Sequence, residues 1–454
     1  MTGIFRKLQD ELGSDLVVAA ESLRDRATSY WDSSPTEARC LVRPETTEQL
    51  SRVMRTCHEH RQSVVVQGGL TGIVQGAAST ASDVIVSLER MDAIESVDAA
   101  DGVAIVQAGA ILQTVQEHVA DKGFLFPVDF GARGSCTIGG AVATNAGGIN
   151  VLRYGMMRNV VLGLEAVLAD GTVISSMNQM LKNNTGYDLK QLFIGSEGTL
   201  GVITRVVVRL YPQTSSRDTA MFACASFDAV TRQLSALKTN LAGTLSAFEV
   251  MWNSYITAVT GEGGHVSPLD RSYPYYVIAE AEGADPEADA ERFQRLLEAG
   301  MECGDIVDAV LPKSEGERRA LWSIREEFEM ALPAYLYDVS LPIRHMETYA
   351  ARLQERLLAW REDAVFEIFG HIADGNLHIF VKPFADNTHH DAVDAVVYGC
   401  LEGLDGSISA EHGIGIDKKS WLGLSRDDDE LELMRGLKRL LDPAKLLNPG
   451  KIID

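Results

Sequence analysis

The spacing of apolar residues in the first half of the chain predicts one helix and several short buried strands. The helix follows a capping box at Thr46, because apolar side chains then recur at helical intervals, at Leu50, Val53, Met54 and Cys57. Continuous apolar runs bounded by Gly, Asp or Ser predict strands over residues 63–67, 83–88, 103–108 and 160–168. Helices and strands mixed in this way indicate an α+β fold.

The second half alternates strand-like and helix-like stretches. Apolar runs predict strands over residues 220–225, 275–281, 337–341 and 365–369, and helical periods cover 227–241 and 286–298. This alternation predicts a sheet covered by helices on one face. Since tight glycine motifs are concentrated in the first half, we predict one domain over 1–215 and another over 216–425, with a C-terminal segment, 426–454, that returns to the first domain.

The charge balance excludes one class of partner, and the cysteine pattern indicates the compartment. In 454 residues, 64 Asp and Glu oppose 41 Lys and Arg, so the net charge of −23 would repel nucleic acid. The six cysteines form no C-x-x-C pair, which is typical of a reduced compartment. The first residues lack the apolar core of a signal peptide, and no run approaches the ~20 apolar residues of a membrane span. Assuming a bacterial source, we predict a cytoplasmic protein.

Three glycine-rich segments indicate a ligand that carries phosphate groups. They cover residues 67–76, 134–148 and 195–204, and each can leave backbone N–H groups free to converge on an anion. Taken singly, each segment could equally be an ordinary tight connection. Their joint occurrence favours a large polyphosphate ligand. A nicotinamide site of the usual kind is disfavoured, because no G-x-G-x-x-G lies between a predicted strand and a helix.

Two further segments carry candidate metal ligands. His371 and His378 flank a turn predicted at Asp374-Gly375, and Glu411 and His412 are adjacent in a second glycine-flanked segment. A divalent metal held by His371, His378 and Glu411 would keep one coordination position open, as catalytic zinc sites do. For an isolated histidine pair, core histidines with satisfied hydrogen bonds are the alternative. Zinc is the first expectation from these ligands, with manganese and cobalt left open because geometry separates them.

Several motifs together give a family resemblance over nearly the whole chain. They lie at residues 67–72, 126–129, 139–140, 144–148, 153–155, 195–201 and 448–451. With them the chain resembles flavoproteins of the vanillyl-alcohol oxidase type and, within these, the D-2-hydroxyacid dehydrogenases. Residues 184–190 are most similar to the D-2-hydroxyglutarate dehydrogenase branch. The resemblance implies an α+β fold in which a two-part PCMH-type FAD-binding domain is joined to a cap domain with an antiparallel sheet covered by helices.

The resemblance also implies FAD as the cofactor. Glycines and a threonine of the first loop would lie at its pyrophosphate, and the matching residues overall are Gly68, Gly69, Thr71, Gly72, Pro127, Ser135, Thr137, Gly140, Glu197, Ile203 and Asn448. Some relatives attach the flavin through a His directly after the paired glycines. Leu70 occupies that position here, so we predict a noncovalent FAD.

The same resemblance assigns roles in catalysis. His371, His378 and Glu411 match the family's metal ligands, and His412 matches its catalytic base. Arg325 matches the arginine that clamps the substrate carboxylate, and Asn376 could hold the same substrate. A solvated charge on a helix is the alternative for Arg325, and a residue that serves its own turn is the alternative for Asn376. The expected activity is oxidation of a D-2-hydroxy acid to the 2-oxo acid, with hydride transfer to flavin N5.

One departure bears on the substrate. Leu336 stands where the hydroxyglutarate enzymes have a Lys, so D-lactate, D-malate or a bulkier acid remain alternatives to a D-2-hydroxyglutarate-like acid. The resemblance also leaves open an oxidase or alkyl-transfer enzyme of the same superfamily, and a non-catalytic flavin subunit of a glycolate-oxidising complex. The expected electron acceptor is an electron-transfer flavoprotein or the quinone pool, and a homodimer is the default oligomeric state.

Overall fold

The chain divides into two compact units in the computed structural model, which describes residues 3–327, 332–383 and 390–453. The first unit comprises Met1–Gly148, Tyr154–Gln213 and Glu411–Asp454. The second unit comprises Ile149–Arg153 and Thr214–Ala410.

The end of the second unit differs from the position of 425 expected from the sequence. Residues after Ala410 group with the first unit, and backbone hydrogen bonds connect them to it and to one another. Ile416 donates its N–H to the carbonyl of Val74, and Ile452 donates to the carbonyl of Gly415. The sequence indicated a returning C-terminal segment, but these pairings join residues that are far apart along the chain, so its start was placed too late.

The described residues contain strands of two to nine residues and helices of four to seventeen residues. In chain order the strands are β1 (Val17–Ala19), β2 (Cys40–Val42), β3 (Val64–Gln67), β4 (Val84–Ser87), β5 (Ile94–Asp98), β6 (Val103–Gln107), β7 (Phe124–Leu125), β8 (Val161–Val167), β9 (Val173–Ser176), β10 (Val202–Arg209), β11 (Tyr211–Pro212), β12 (Ser216–Cys224), β13 (Leu245–Trp252), β14 (Tyr275–Gly283), β15 (Asp308–Val310), β16 (Tyr335–Ser340), β17 (Phe366–His371) and β18 (Asn376–Val381). The helices are α1 (Gly3–Leu12), α2 (Thr47–Glu59), α3 (Leu112–Ala120), α4 (Ile138–Ala143), α5 (Val151–Tyr154), α6 (Met157–Val160), α7 (Lys190–Phe193), α8 (Phe227–Asn240), α9 (Asn253–Val259), α10 (Pro286–Glu302), α11 (Glu315–Glu326), α12 (Met346–Trp360), α13 (His390–Gly399) and α14 (Asp428–Leu441).

The first unit is built on two main sheets. One has the order β1-β2-β4-β3, in which β2, β4 and β3 are parallel, and the other has the order β5-β6-β10-β8-β9 and is antiparallel. The four apolar runs predicted as strands are confirmed as β3, β4, β6 and β8. Helix α2 begins after Thr46, whose side chain accepts from the N–H of Gln49, and its predicted apolar residues are buried in the core.

The second unit is built on one antiparallel sheet of seven strands, which confirms the predicted cap architecture. Its order is β15-β12-β14-β13-β17-β18-β16. Helices α9 and α11 pack against one face, where Tyr255 and Trp322 meet Met221 and Phe369 of the sheet. Helix α8 begins at the predicted position because the hydroxyl of Ser226 accepts from the third N–H that follows it.

The sequence did not predict β13, the central strand of this sheet, or β18. A buried glutamate, Glu249, interrupts the apolar run of β13, while β18 contains Asn376 and His378, which were assigned to the segment after a turn. Burial of polar side chains within a strand therefore hid both elements from a hydrophobic pattern. Among the described residues, no helix is both long and apolar enough to cross a bilayer.

Candidate active site

His371 and His378 face each other across a tight turn of the second unit. Strand β17 ends at His371, one 3₁₀ turn follows, and Gly375 adopts the left-handed conformation (φ 95°) just before β18 begins. This conformation suits glycine, which has no Cβ to clash, and it confirms the predicted turn. The two imidazole rings lie with their centroids 5.2 Å apart at an interplanar angle of 79°.

Glu411 completes a group of three side chains that could hold a metal ion. One ligand-type atom each from His371, His378 and Glu411 lies within 4.8 Å of the other two. The carboxylate and the backbone before it are both anchored: Gly148 donates its N–H to Glu411 Oε1 at 3.0 Å, and the preceding Ala410 donates to Asp338 Oδ2 at 2.8 Å. Two imidazoles and one carboxylate are a donor set that fits zinc, and imidazole with carboxylate also suits manganese or cobalt.

A buried carboxylate that the sequence did not indicate lies behind His371. Glu249 of β13 is 1% exposed, and its Oε1 is 2.6 Å from His371 Nδ1 while its Oε2 accepts from Arg325 Nε at 2.8 Å. Burial alone would raise the pKa of the Glu249 carboxyl, but the charges and hydrogen bonds of His371 and Arg325 lower it to about 2. Because Nδ1 is engaged by Glu249, His371 would bind a metal through Nε2.

Arg325 is a buried residue rather than a solvated helix charge. It lies in the last turn of α11 and is 8% exposed. Its guanidinium carbon lies 4.6 Å from the centroid of the Phe369 ring, while Nε is held by Glu249. Stacking on an aromatic ring and a carboxylate partner together fix the orientation of the guanidinium plane.

The nitrogen and the oxygen of the Asn376 side-chain amide differ in their hydrogen bonding. Its Nδ2 donates to the carbonyls of Val339 and Leu377, at 3.1 and 3.4 Å, so the nitrogen serves the backbone of the sheet. Its Oδ1 is buried and has no hydrogen-bond partner among the described residues. A buried acceptor of this kind is costly unless a donor from a ligand satisfies it.

The loop after His412 is held by Glu197. In the first unit, Glu197 Oε1 accepts from the N–H of Ile414 at 2.7 Å and Oε2 accepts from Gly415 at 2.8 Å. Burial raises the pKa of the Glu197 carboxyl by more than these hydrogen bonds and the charge of Lys418 lower it. Both oxygens therefore serve the backbone of this loop, and a contact between Glu197 and the cofactor stays a prediction.

The side chain of Asn448 also binds backbone groups of the first unit. Its Oδ1 accepts from the N–H of Val66 at 2.9 Å, and its Nδ2 donates to the carbonyl of Glu197 at 2.7 Å. Asn448 thus joins β3, which leads into the first glycine loop, to the third glycine loop. Its predicted contact with the cofactor also stays a prediction.

Two of the predicted glycine loops pack directly against each other. A Cβ on Gly69 would overlap the carbonyl oxygen of Ser135, and one on Gly68 would lie 2.6 Å from Thr137 Oγ1. A Cβ on Gly72, by contrast, meets no protein atom within 4 Å. The first two glycines are therefore required by the protein's own packing, whereas the space beside Gly72 can admit a ligand.

The remaining predicted cofactor residues lie in or beside these elements of the first unit. Thr137 caps α4 by accepting from the N–H of Gly140 at 3.2 Å. Pro127 is buried, and Ile203 lies in β10 at 4% exposure. Thr71 belongs to the first glycine loop. Their contacts with FAD stay predictions.

Comparison with protein families gives two matches. The family described as "FAD binding domain" matches residues 38–176, and the family described as "FAD linked oxidases, C-terminal domain" matches residues 213–452. Together they cover most of both units.

Similar proteins carry related names. Mitochondrial D-2-hydroxyglutarate dehydrogenase of Bos taurus is 42% identical over 92% of this chain and 77% of that protein. D-2-hydroxyglutarate dehydrogenase of Xanthomonas citri is 38% identical over 94% of this chain and 91% of that protein. A mitochondrial protein of Schizosaccharomyces pombe, named as a D-lactate dehydrogenase, is 38% identical over 91% of this chain and 81% of that protein.

Solved structures share the fold. A p-cresol methylhydroxylase superposes with a TM-score of 0.74 and 17% identity, covering 99% of this chain and 96% of that one. An alkyldihydroxyacetonephosphate synthase superposes with a TM-score of 0.73 and 15% identity, covering 98% of this chain and 84% of that one. At these identities the likeness concerns the fold alone.

The comparisons overturn the predicted location. The relatives from Bos taurus, Rattus norvegicus and Arabidopsis thaliana are all named as mitochondrial. The prediction of a cytoplasmic protein was therefore wrong. It depended on the assumption of a bacterial source and on first residues without the apolar core of a signal peptide, a feature that does not distinguish cytoplasm from mitochondria.

Proposed function

This chain belongs to the FAD-linked oxidase family, and we propose that it oxidises a D-2-hydroxy acid to the 2-oxo acid with a noncovalent FAD and a divalent metal. The observation that carries the proposal is the grouping of ligand atoms from His371, His378 and Glu411 within 4.8 Å. The names of the similar dehydrogenases support the substrate class.

Removal of hydrogen from a secondary alcohol needs a proton acceptor and a hydride acceptor. Bound FAD supplies the hydride acceptor, and a metal held by His371, His378 and Glu411 would lower the pKa of the substrate hydroxyl as a Lewis acid. His412 would accept the hydroxyl proton as the general base, since imidazole is the side chain that most often has this role in enzymes. Zinc is the first choice of metal, with manganese or cobalt as alternatives.

Two buried residues of the second unit would hold the substrate. Arg325 offers a guanidinium of fixed orientation, which suits a carboxylate because the fork of N–H groups can bind both of its oxygens. Asn376 offers Oδ1, a buried acceptor that lacks a partner among the residues described and would accept a hydrogen bond from a donor group of a bound ligand.

Leu336 bears on which D-2-hydroxy acid is the substrate. It lies in β16 opposite Phe380 of β18, so an apolar pair occupies this register of the sheet. Such a pair offers no cation to a second carboxylate. A D-2-hydroxyglutarate-like acid is our first choice because of the similar dehydrogenases, and D-lactate or D-malate is the alternative.

The test is anaerobic loss of flavin absorbance on addition of single D- and L-2-hydroxy acids to the purified protein. We expect rapid bleaching by one D-acid, loss of bleaching after treatment with a chelator, and recovery on adding zinc, manganese or cobalt. Slow reoxidation in air would support a dehydrogenase that passes electrons to a flavoprotein or quinone, whereas fast reoxidation with peroxide release would indicate an oxidase. No bleaching by any hydroxy acid would contradict the proposal and favour a non-catalytic subunit.

A further inference from the structure

We propose that Glu249 is a positioning residue that sets both the metal-binding nitrogen of His371 and the orientation of Arg325. The inference concerns the site of the proposed function and rests on it. No feature of the sequence around Glu249 indicates such a role, since the residue lies in a mainly apolar stretch, Leu245–Trp252.

The register of the central strands brings Glu249 to His371. Strands β13 and β17 are antiparallel neighbours, and Glu249 pairs directly with His371 across them. Side chains at paired positions lie on the same face of a sheet, which explains the 2.6 Å separation of Oε1 and Nδ1. This contact assigns the proton to Nδ1 and leaves Nε2 as the nitrogen with a lone pair for a metal.

The second oxygen of Glu249 links His371 to a different element. Oε2 accepts from Nε of Arg325, so a single carboxylate contacts both the predicted metal ligand and the predicted substrate clamp. Arg325 Nε is held 2.8 Å from Glu249 Oε2, and the guanidinium group stacks on the Phe369 ring. With Glu249 at 1% exposure, water cannot readily replace it as a partner for either group.

Glu280 offers a matched comparison in the same sheet. It lies in the neighbouring strand β14, is 6% exposed and pairs with Arg318 of the same helix α11, at 3.0 Å. It also accepts from Trp322 Nε1 at 2.9 Å. Glu280 is therefore also a buried carboxylate in an ion pair with α11, but none of these hydrogen bonds goes to a predicted ligand of the metal.

The experiment is a metal titration of the purified protein, which requires no turnover. A chelator first removes bound metal from three proteins, the wild type, Glu249→Gln and Glu280→Gln. Each protein then competes with a chromophoric chelator for added Zn²⁺, which gives its Zn²⁺ affinity. In Glu249→Gln the side-chain amide has one acceptor oxygen, so it cannot accept from both His371 Nδ1 and Arg325 Nε. We therefore expect Zn²⁺ affinity to fall by about 10- to 100-fold, the usual effect of losing a residue that orients a metal ligand. Glu280→Gln should bind Zn²⁺ as wild type does, although it should unfold at a lower temperature.

A spectroscopic readout separates positioning from a general loss of stability. With Co²⁺ in place of Zn²⁺, the visible absorption of Glu249→Gln should differ from that of wild type, while Glu280→Gln should match wild type. If Glu249→Gln does not fold, Glu249→Asp serves in the same comparison, because it keeps the charge but cannot span both partners. Zn²⁺ affinity and a Co²⁺ spectrum equal to those of wild type in the folded variant would overturn the inference.

The outcomes also distinguish this inference from the proposed function. If His371→Ala binds Zn²⁺ as tightly as wild type, the metal site itself is wrong. If His371→Ala loses Zn²⁺ while Glu249→Gln retains wild-type affinity and spectrum, the metal site stands and only the role of Glu249 fails.

Discussion

Lys438 and Asp442 form a buried ion pair in the first unit, with Lys438 Nζ 2.7 Å from Asp442 Oδ2. Nζ also donates to the carbonyls of Thr199 and Leu447, each at 2.8 Å. The pair therefore joins α14, the third glycine loop and the C-terminal segment. Asp442 is fully buried, and its carboxylate also accepts from the N–H groups of Leu446 and Leu447.

Lys438→Met should lower the free energy of unfolding by about 3–5 kcal/mol, because it leaves the Asp442 carboxylate buried without its cation. Lys445→Met is the matched control, since Lys445 is an exposed lysine three residues from Asp442. Urea unfolding followed by tryptophan fluorescence measures both variants. Equal unfolding midpoints for the two would show that the ion pair contributes little.

The fold was largely predictable where the cause is local. Helix α8 depends on Ser226 and the apolar period after it, and the turn between the two histidines depends on Asp374-Gly375. A helix cap, an apolar period and a turn each depend on residues only a few positions apart, so they can be recognised in the sequence.

The network around the site was not predictable because its partners are distant along the chain. Glu249 and His371 are separated by 122 positions, and Glu197 and Ile414 by 217. Which glutamate meets which partner depends on strand register and on the path of the C-terminal segment. The hydrophobic pattern specifies neither, so the sequence offered candidate ligands but not the residues that contact them.

Gly72→Ala tests whether the first glycine loop contacts the cofactor. A methyl group there meets no protein atom within 4 Å, so we expect wild-type thermal stability of the FAD-free protein. FAD affinity should fall by about tenfold or more, since overpacking by a methyl group costs about 1–3 kcal/mol. Fluorescence titration of the apoprotein with FAD measures this.

Gly69→Ala is the comparison for Gly72→Ala, because here the added methyl group meets protein atoms. Its Cβ would overlap the Ser135 carbonyl oxygen, so it should destabilise the protein even without FAD. Unchanged FAD affinity in Gly72→Ala would remove Gly72 from the cofactor site, and a Gly69→Ala apoprotein as stable as wild type would contradict the packing argument.

Leu70 predicts the mode of flavin attachment. Its side chain offers no nucleophilic atom for a bond to the isoalloxazine, so acid precipitation of the holoenzyme should release all of the FAD into the supernatant. Absorbance of pellet and supernatant after precipitation measures the distribution. Yellow colour that remains with the washed pellet would indicate a covalent bond to another residue.

His412→Ala tests the assignment of the proton acceptor. The variant should retain FAD, but its flavin should be reduced by the hydroxy acid at least ~100-fold more slowly, since general-base catalysis contributes about 10²–10⁴-fold. Stopped-flow measurement of flavin bleaching under anaerobic conditions gives the rate. His118→Ala is the control, because His118 is an exposed histidine of α3. A reduction rate for His412→Ala close to that of His118→Ala would exclude His412 as the base, while a loss of bound FAD would indicate that the residue supports the cofactor instead.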